Sequence, residues 1–193
     1  MSYCDFLFTE EQYDEYVEFV RCRFAYSGIT DMDIMHCIVG LVGEYFEIQL
    51  ALRELAECND PNECEVLQDK LEKEYGDFLY YFQASFNILN VTYTQLVYDL
   101  DDGPGITYDS WEHGFDEFLD QIKKHHFYKQ GGTHIARTLI TLWKHITFDW
   151  VEQTDDGDYI QRLIEKNKAK LTKRYPKGKF DTEDSIRKAD NLG

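Results

Sequence analysis

The sequence is poor in basic residues. Lysine and arginine total 20 of the 193 residues, against 37 aspartates and glutamates, so the formal charge is -17 at neutral pH. A surface this negative repels phosphate backbones, which disfavours binding of nucleic acid over a broad face. An anionic ligand needs metal ions between itself and such a protein. We therefore expect no nucleic-acid partner.

Long apolar runs and regularly spaced cysteines are also scarce. No apolar run reaches the roughly 20 residues of a membrane-spanning helix, so we expect no membrane partner. The first residues have no basic segment typical of a signal peptide. The five cysteines are odd in number, and Cys58 and Cys64 do not form a C-x-x-C pair. These features predict reduced thiols and a cytoplasmic protein.

Proline and strand patterns are rare, whereas helix start signals are frequent. Three prolines occur in the whole chain, and alternating β-branched residues are few. Thr9 with Gln12 resembles a capping box, Thr30 with Asp33 is a looser version, and Asp60 precedes a proline at a first helical position. The predicted helices cover about 9–27, 31–57, 61–90, 108–127, 132–150 and 157–175. The sequence thus predicts an all-α protein, a bundle of about six helices forming a single domain over 1–193.

Two pairs of carboxylates interrupt apolar stretches of the second and third predicted helices. Glu44 and Glu47 lie within HCIVGLVGEYFEIQLALRE, and Glu74 and Asp77 lie within LEKEYGDFLYYF. Residues three apart project from nearly the same face of a helix. Because a short link joins the two helices, they are expected to be antiparallel neighbours whose four carboxylates meet.

The negative charges of converging carboxylates repel one another and must be neutralised. Like charges a few ångströms apart raise one another's pKa, and a hard divalent cation removes that conflict. Oxygen ligands without cysteine or histidine favour Mg²⁺, with Mn²⁺ as the alternative. Two other interpretations stay open on spacing alone. The acids fit ordinary solvated helix faces, and a di-iron bundle is a rival that would require Glu-x-x-His on two helices.

The two acidic motifs together resemble those of the MazG-like nucleoside triphosphate pyrophosphohydrolases, the all-α NTP pyrophosphatase superfamily. The run from His36 through Glu47 is similar to the family's first motif, and Glu74-Tyr75-Gly76-Asp77 is similar to its second. The C-terminal segment NKAKLTKRYPKGKF resembles an element of short phage and bacterial members. Residues 95–156 have no counterpart in compact members and are predicted to be a helical insertion within the domain.

The resemblance implies a Mg²⁺-dependent enzyme that cleaves (d)NTPs between the α- and β-phosphates. It implies metal binding by Glu44, Glu47, Glu74 and Asp77, with Glu47 as the expected catalytic base. Substrate contacts are expected from five further residues: His36, Arg53, Asn167, Lys170 and Arg174. His36 also fits a core hydrogen bond, and the three C-terminal residues also fit a basic helix end that offsets the helix dipole.

Partners and role follow from the same resemblance. It implies a nucleoside triphosphate substrate, a homodimer or homotetramer, and a role in remodelling or cleaning nucleotide pools. A second interpretation, a non-catalytic interaction protein, stays open. A charge of -17 also fits an acidic protein that mimics nucleic acid and binds a basic partner.

Overall fold

The computed structural model describes residues 9–96, 111–128, 135–154 and 156–181. Within these ranges the chain forms helices and no strands, which confirms the predicted all-α class. A short helical turn at 93–96 accompanies six longer helices. The longer helices are α1 (Glu10–Arg23), α2 (Thr30–Glu57), α3 (Pro61–Leu89), α4 (Trp111–Tyr128), α5 (Ile135–Thr154) and α6 (Tyr159–Arg174).

Helix starts follow the predicted caps at two places and differ at a third. Thr9 and Gln12 exchange backbone-to-side-chain hydrogen bonds of 2.7 and 3.2 Å, which is a capping box. Asp60 accepts a 2.8 Å hydrogen bond from the Asn62 amide. Thr30, in contrast, is already helical, and its partner Asp33 instead accepts a 2.6 Å hydrogen bond from the Ser27 amide. The prediction that Thr30 caps this helix was therefore wrong.

The first predicted helix is too long at its C-terminal end. α1 ends at Arg23, and the segment before α2 contains Gly28 at a φ of +78°. This left-handed conformation favours glycine and interrupts helical hydrogen bonding. The predicted first residues of the fourth and fifth helices, 108–110 and 132–134, lie outside the described residues.

The chain divides into two compact units. One consists of Met1–Asp14 and Phe86–Gln161, and is called here the α4–α5 unit; the other consists of Glu15–Ser85 and Arg162–Gly193, and is called the α2–α3 unit. The predicted insertion, 95–156, falls within the first of these. A single domain carrying an insertion nevertheless stays a prediction.

Helices α2 and α3 run antiparallel within their unit, as expected. Glu54 of α2 pairs with Lys70 of α3 at 2.7 Å, whereas Gly40, earlier in α2, lies against Tyr81, later in α3. The apolar faces of the unit are fully buried at residues such as Leu41, Ile48, Phe78, Phe82 and Leu163. Burial of this apolar surface is the main stabilising contribution.

The α4–α5 unit has its own apolar core. α4 packs against α5, and the buried Trp143 ring lies edge-on to Phe86 at a centroid distance of 5.8 Å. Thr147, on the same helix as Trp143, is buried and donates its hydroxyl to the Trp143 carbonyl at 2.8 Å.

A disulfide closes the connection between α2 and α3. Cys58 and Cys64 are bonded, and their Cα atoms lie 5.7 Å apart, within the usual range for a disulfide. The expectation of reduced thiols throughout was wrong for this pair. The sequence spacing matched no short motif, but the turn before α3 brings the two residues together. A cytoplasmic location stays a prediction.

Helix α2 is long and apolar enough, by length and composition alone, to cross a membrane. The expectation that the chain lacks a run of this kind is therefore too strict. The core helix of a water-soluble protein passes the same test. Ile48 and Ala51 of α2 are fully buried against the rest of the protein.

Candidate metal centre

Three of the four predicted ligands converge. Glu44 from α2 and Glu74 and Asp77 from α3 each offer a carboxylate oxygen, and these oxygens all lie within 4.8 Å of one another. The antiparallel hairpin produces this arrangement, because the acidic positions of both helices lie on the faces turned toward each other. All three side chains are partly buried.

Glu44 has the most unfavourable electrostatic environment of the three. Burial raises its pKa to about 8, and the negative charges of Asp77, Glu47 and Glu74 act in the same direction. Its Oε2 atom is buried and accepts no hydrogen bond from the described residues. A buried, unpaired carboxylate oxygen is costly unless a proton or a cation neutralises it.

Glu74 shares this environment, and Glu47 lies at its edge. Burial raises the pKa of Glu74, and the charges of Glu47 and Asp77 raise it further. Glu47 is exposed and is not one of the three converging residues. Its charge nevertheless acts on both Glu44 and Glu74, so it lies beside the cluster, where it faces solvent.

Helix α6 supplies polar partners to the cluster. Asn167 donates its side-chain amide to Asp77 at 2.6 Å, and the Lys170 ammonium forms an ion pair with the other Asp77 oxygen. Gly76 makes this approach feasible, since a Cβ there would lie 3.1 Å from the Asn167 Cβ and 3.2 Å from the Leu163 carbonyl oxygen. Two of the five predicted substrate-binding residues thus lie against a predicted metal ligand.

A cavity of about 120 Å³ adjoins the cluster, with Glu44 and Asp77 in its wall. The predicted residues His36 and Arg174 also line it. The exposed His36 ring packs against Phe24 in a tilted arrangement, at a centroid distance of 4.5 Å and an interplanar angle of 31°. Aromatic side chains form much of the remaining wall: Phe24, Tyr80, Tyr81, Tyr175 and Phe180.

Arg53 is not among the residues that line this cavity. It is exposed on α2, more than one turn beyond Glu47. The aromatic residues between the two glutamates, Tyr45 and Phe46, do not line it either, and Phe46 is 64% exposed. Arg53 as a substrate contact therefore stays a prediction.

The small residues near Glu44 have different roles. Gly40 does not leave open space, because Tyr81 packs directly over it and a Cβ there would overlap the ring. At Gly43 a Cβ would meet no described atom within 4 Å. The helix face beside Glu44 is therefore open at Gly43 and filled by Tyr81 at Gly40.

Sequence reasoning missed the contribution of α1. Arg23 and Phe24, at the end of α1 and just after it, line the cavity. Neither residue belongs to an acidic motif or to the C-terminal element, and no local pattern marks them. Only the packing of the chain brings them beside α2 and α6.

The residues present fit a divalent cation. The donors are carboxylate oxygens, which suit Mg²⁺ or Mn²⁺. The buried Glu44 Oε2 has an unsatisfied acceptor, and a bound cation would satisfy it while removing the repulsion among the three acids. Glu44, Glu74 and Asp77 would hold the ion, and the charge of Glu47, which acts on both glutamates, would also be offset by it.

The fold and the site together define an all-α protein with a cluster of three carboxylates beside an aromatic cavity. Comparison with known proteins adds no relative: no family model, no curated protein and no solved structure matches the chain. The similarity to MazG-like proteins therefore rests on the motifs in the sequence.

Proposed function

We propose that the protein is a Mg²⁺-dependent nucleoside triphosphate pyrophosphohydrolase, which cleaves (d)NTPs between the α- and β-phosphates to give (d)NMP and pyrophosphate. The observation that carries the proposal is the convergence of Glu44, Glu74 and Asp77 within 4.8 Å. The unsatisfied, buried oxygen of Glu44 supports it, since a solvated surface cluster would have no such atom. The motif resemblance supplies the reaction type.

The carboxylates hold the metal in this proposal. When bound, Mg²⁺ supplies positive charge that offsets the phosphate oxygens and makes water more acidic. An acid-rich protein needs this charge to accept a polyphosphate, since both partners are anionic. Most of the rate enhancement is then expected from positioning and charge compensation.

Helix α6 orients the phosphates. The Lys170 ammonium forms an ion pair with Asp77, so it lies beside a proposed metal-binding carboxylate, where it would donate to a phosphate oxygen. Asn167 keeps the Asp77 carboxylate oriented through its 2.6 Å hydrogen bond. Arg174, in the cavity wall, suits a phosphate contact because a guanidinium donates in a fixed fork.

Glu47 is the proposed acceptor of the proton from the attacking water. It lies beside the cluster and is exposed, so water reaches its carboxylate. His36 is assigned to the nucleobase, because its ring lies against Phe24 in an aromatic wall of the cavity. Arg53, which faces solvent, is assigned a contact with the substrate only through the family resemblance.

A homodimer or homotetramer belongs to the same proposal. Met32, Val39, Phe46 and Leu50 are exposed apolar residues of α2. The first three are spaced by seven residues, which is typical of a helix-packing seam. Burial of this face against a second copy is expected, and sedimentation equilibrium of the purified chain tests it. A strictly monomeric protein at micromolar concentration would contradict this part of the proposal.

The decisive experiment separates the products of hydrolysis. The purified protein is incubated with a panel of (d)NTPs and Mg²⁺, and pyrophosphate and orthophosphate are measured separately. We expect pyrophosphate as the first product. Orthophosphate as the first product would overturn cleavage between the α- and β-phosphates. Absence of turnover with every nucleotide would favour the acidic interaction protein instead.

A further inference from the structure

We propose that Arg23 is a phosphate-binding residue and, with Arg174, forms an anion subsite in the cavity beside the carboxylate cluster. The proposal rests on the proposed function for the identity of the ligand, a nucleotide polyphosphate. Arg23 lies outside every motif that suggested that function. The assignment comes from its position, its charge and its contacts.

The charge of Arg23 has no counterpart among the described residues. The protein has 37 acidic residues against 20 basic ones, so an unpaired arginine is unexpected. Arg21, on the same helix, pairs with Glu18 at 2.9 Å. The Arg23 guanidinium forms no ion pair with a described carboxylate, and its Nε atom is buried without a hydrogen-bond acceptor there.

The Arg23 side chain is held in one orientation. Its guanidinium carbon lies 3.9 Å from the centre of the Phe19 ring, and Nη1 donates to the Phe19 carbonyl oxygen at 3.3 Å. These contacts fix the plane of the group and leave donors for which no described residue supplies an acceptor. A fixed guanidinium with spare donors suits the tetrahedral oxygens of a phosphate.

The cavity places this cation in the same enclosure as the acids. Arg23, Arg174, Glu44 and Asp77 all line it. Because Arg23, Glu44 and Asp77 line one cavity, a single ligand can contact both the arginine and the carboxylates. A volume of about 120 Å³ is below the roughly 300 Å³ of small ligand pockets, so it accommodates part of a nucleotide.

The phosphates of the leaving group fit this subsite best. Glu44, Glu74 and Asp77 would hold a metal ion that offsets charge near the cleaved bond, which leaves the negative charge of the terminal phosphates to be offset by other groups. Arg23 would hold these phosphates and offset their charge. Inorganic pyrophosphate, which has the same chemistry without a base or a sugar, is therefore the appropriate probe.

The test is isothermal titration calorimetry, in which the full-length protein is titrated with pyrophosphate in the presence of Mg²⁺. The parent and three variants are compared. Arg23→Gln is expected to raise the Kd for pyrophosphate at least about tenfold, because a charge-assisted contact is lost. Arg23→Lys is expected to retain part of the affinity. Arg21→Gln removes an exposed charge from the same helix and should bind like the parent.

Three outcomes would overturn the subsite. They are unchanged affinity in Arg23→Gln, an equal loss of affinity in Arg21→Gln, and a loss in Arg23→Gln that is accompanied by a large fall in its melting temperature. The last two would indicate a general effect of charge and a purely structural role at the end of α1, respectively.

The same variants separate this inference from the proposed function. If the parent hydrolyses a nucleotide and Arg23→Gln leaves KM unchanged, the subsite fails alone. If the parent hydrolyses none, yet its pyrophosphate affinity depends on Arg23, the anion subsite stands and the hydrolase proposal fails. With both correct, Arg23→Gln raises KM more than it lowers kcat, because the contact forms before the reaction.

Discussion

At the scale of single residues, Glu44 determines the character of the site. Its half-buried carboxylate lies among Asp77, Glu47 and Glu74, and its Oε2 atom has no hydrogen-bond partner among the described residues. A folded protein retains such a group when binding compensates its cost. Two predictions follow at this scale.

Removal of one acidic ligand should abolish turnover without unfolding the protein. Glu74→Gln is expected to reduce pyrophosphate release by more than about 100-fold, because a metal ligand is lost. Its melting temperature in chelator should be equal to or slightly above that of the parent, since one repelling charge is gone. Glu65→Gln, an exposed change on the same helix, is the control. A large loss of stability in Glu74→Gln would contradict the interpretation.

Stability of the metal-free protein should fall as pH rises. The pKa of Glu44 is raised from 4.5 to about 8 in the folded state, so folding retains a proton that the unfolded chain has released. The loss of folding stability that comes from ionising the buried Glu44 carboxyl is absent below pH 4.5 and is complete above about pH 8. Thermal unfolding in chelator across this window measures it.

The comparison variant for this pH series is Glu44→Gln. Its melting temperature should depend less on pH than that of the parent, although the net charge of -17 affects both proteins. Identical pH profiles for the two would show that Glu44 does not retain its proton in the folded state.

At the scale of secondary-structure elements, the α2–α3 hairpin and its approach to α6 position the site. The Cys58–Cys64 disulfide closes the turn of the hairpin, and Gly76 lets α6 approach α3. The carboxylate positions were predictable from sequence because each pair is local to one helix. The disulfide and the approach of α6 were not, because they depend on tertiary packing.

Loss of the disulfide should destabilise the hairpin. The cysteines are six residues apart. Closing a loop of this length lowers the conformational entropy of the unfolded chain, which stabilises the folded state by about 2 kcal/mol. The double variant Cys58→Ser with Cys64→Ser should lower the free energy of unfolding by about that amount, measured by urea denaturation. Cys22→Ser, at an exposed free thiol, is the control, and a reducing agent should remove the difference.

Two glycines should respond differently to alanine. Gly43→Ala places its methyl group in open space, so a stabilisation of up to about 1 kcal/mol is expected from helix propensity. Gly76→Ala should lack this gain, because its Cβ would press on Leu163 and Asn167 at 3.2 and 3.1 Å. Urea denaturation of both variants measures the difference, and equal stabilisation would refute the close approach of α6.

At the scale of the whole molecule, net charge and metal binding are coupled. A protein with a charge of -17 attracts Mg²⁺ without any specific site, so thermal stabilisation alone is not diagnostic. If Mg²⁺ also binds at the three carboxylates, part of the thermal stabilisation should depend on those residues. At a Mg²⁺ concentration of 100 times Kd, specific binding stabilises the fold by about 2.7 kcal/mol.

Mg²⁺ should therefore raise the melting temperature of the parent much more than that of Glu74→Gln or Asp77→Asn. Differential scanning calorimetry with Mg²⁺ and with chelator measures the difference at constant ionic strength. Equal shifts in the parent and both variants would mean that the bound ions are diffuse counterions, with no specific centre at the three carboxylates.

The sequence by itself determined the helices, the order of the elements and the carboxylates of the site. Helical periodicity, caps and E-x-x-E spacing are local properties, and each acts within a few residues along the chain. Only the tertiary structure decided that Glu44, Glu74 and Asp77 converge while Glu47 lies at the edge, and that the cavity lining includes Arg23 but not Arg53. Those outcomes depend on how helices pack across long sequence separations, and no local pattern contains that information.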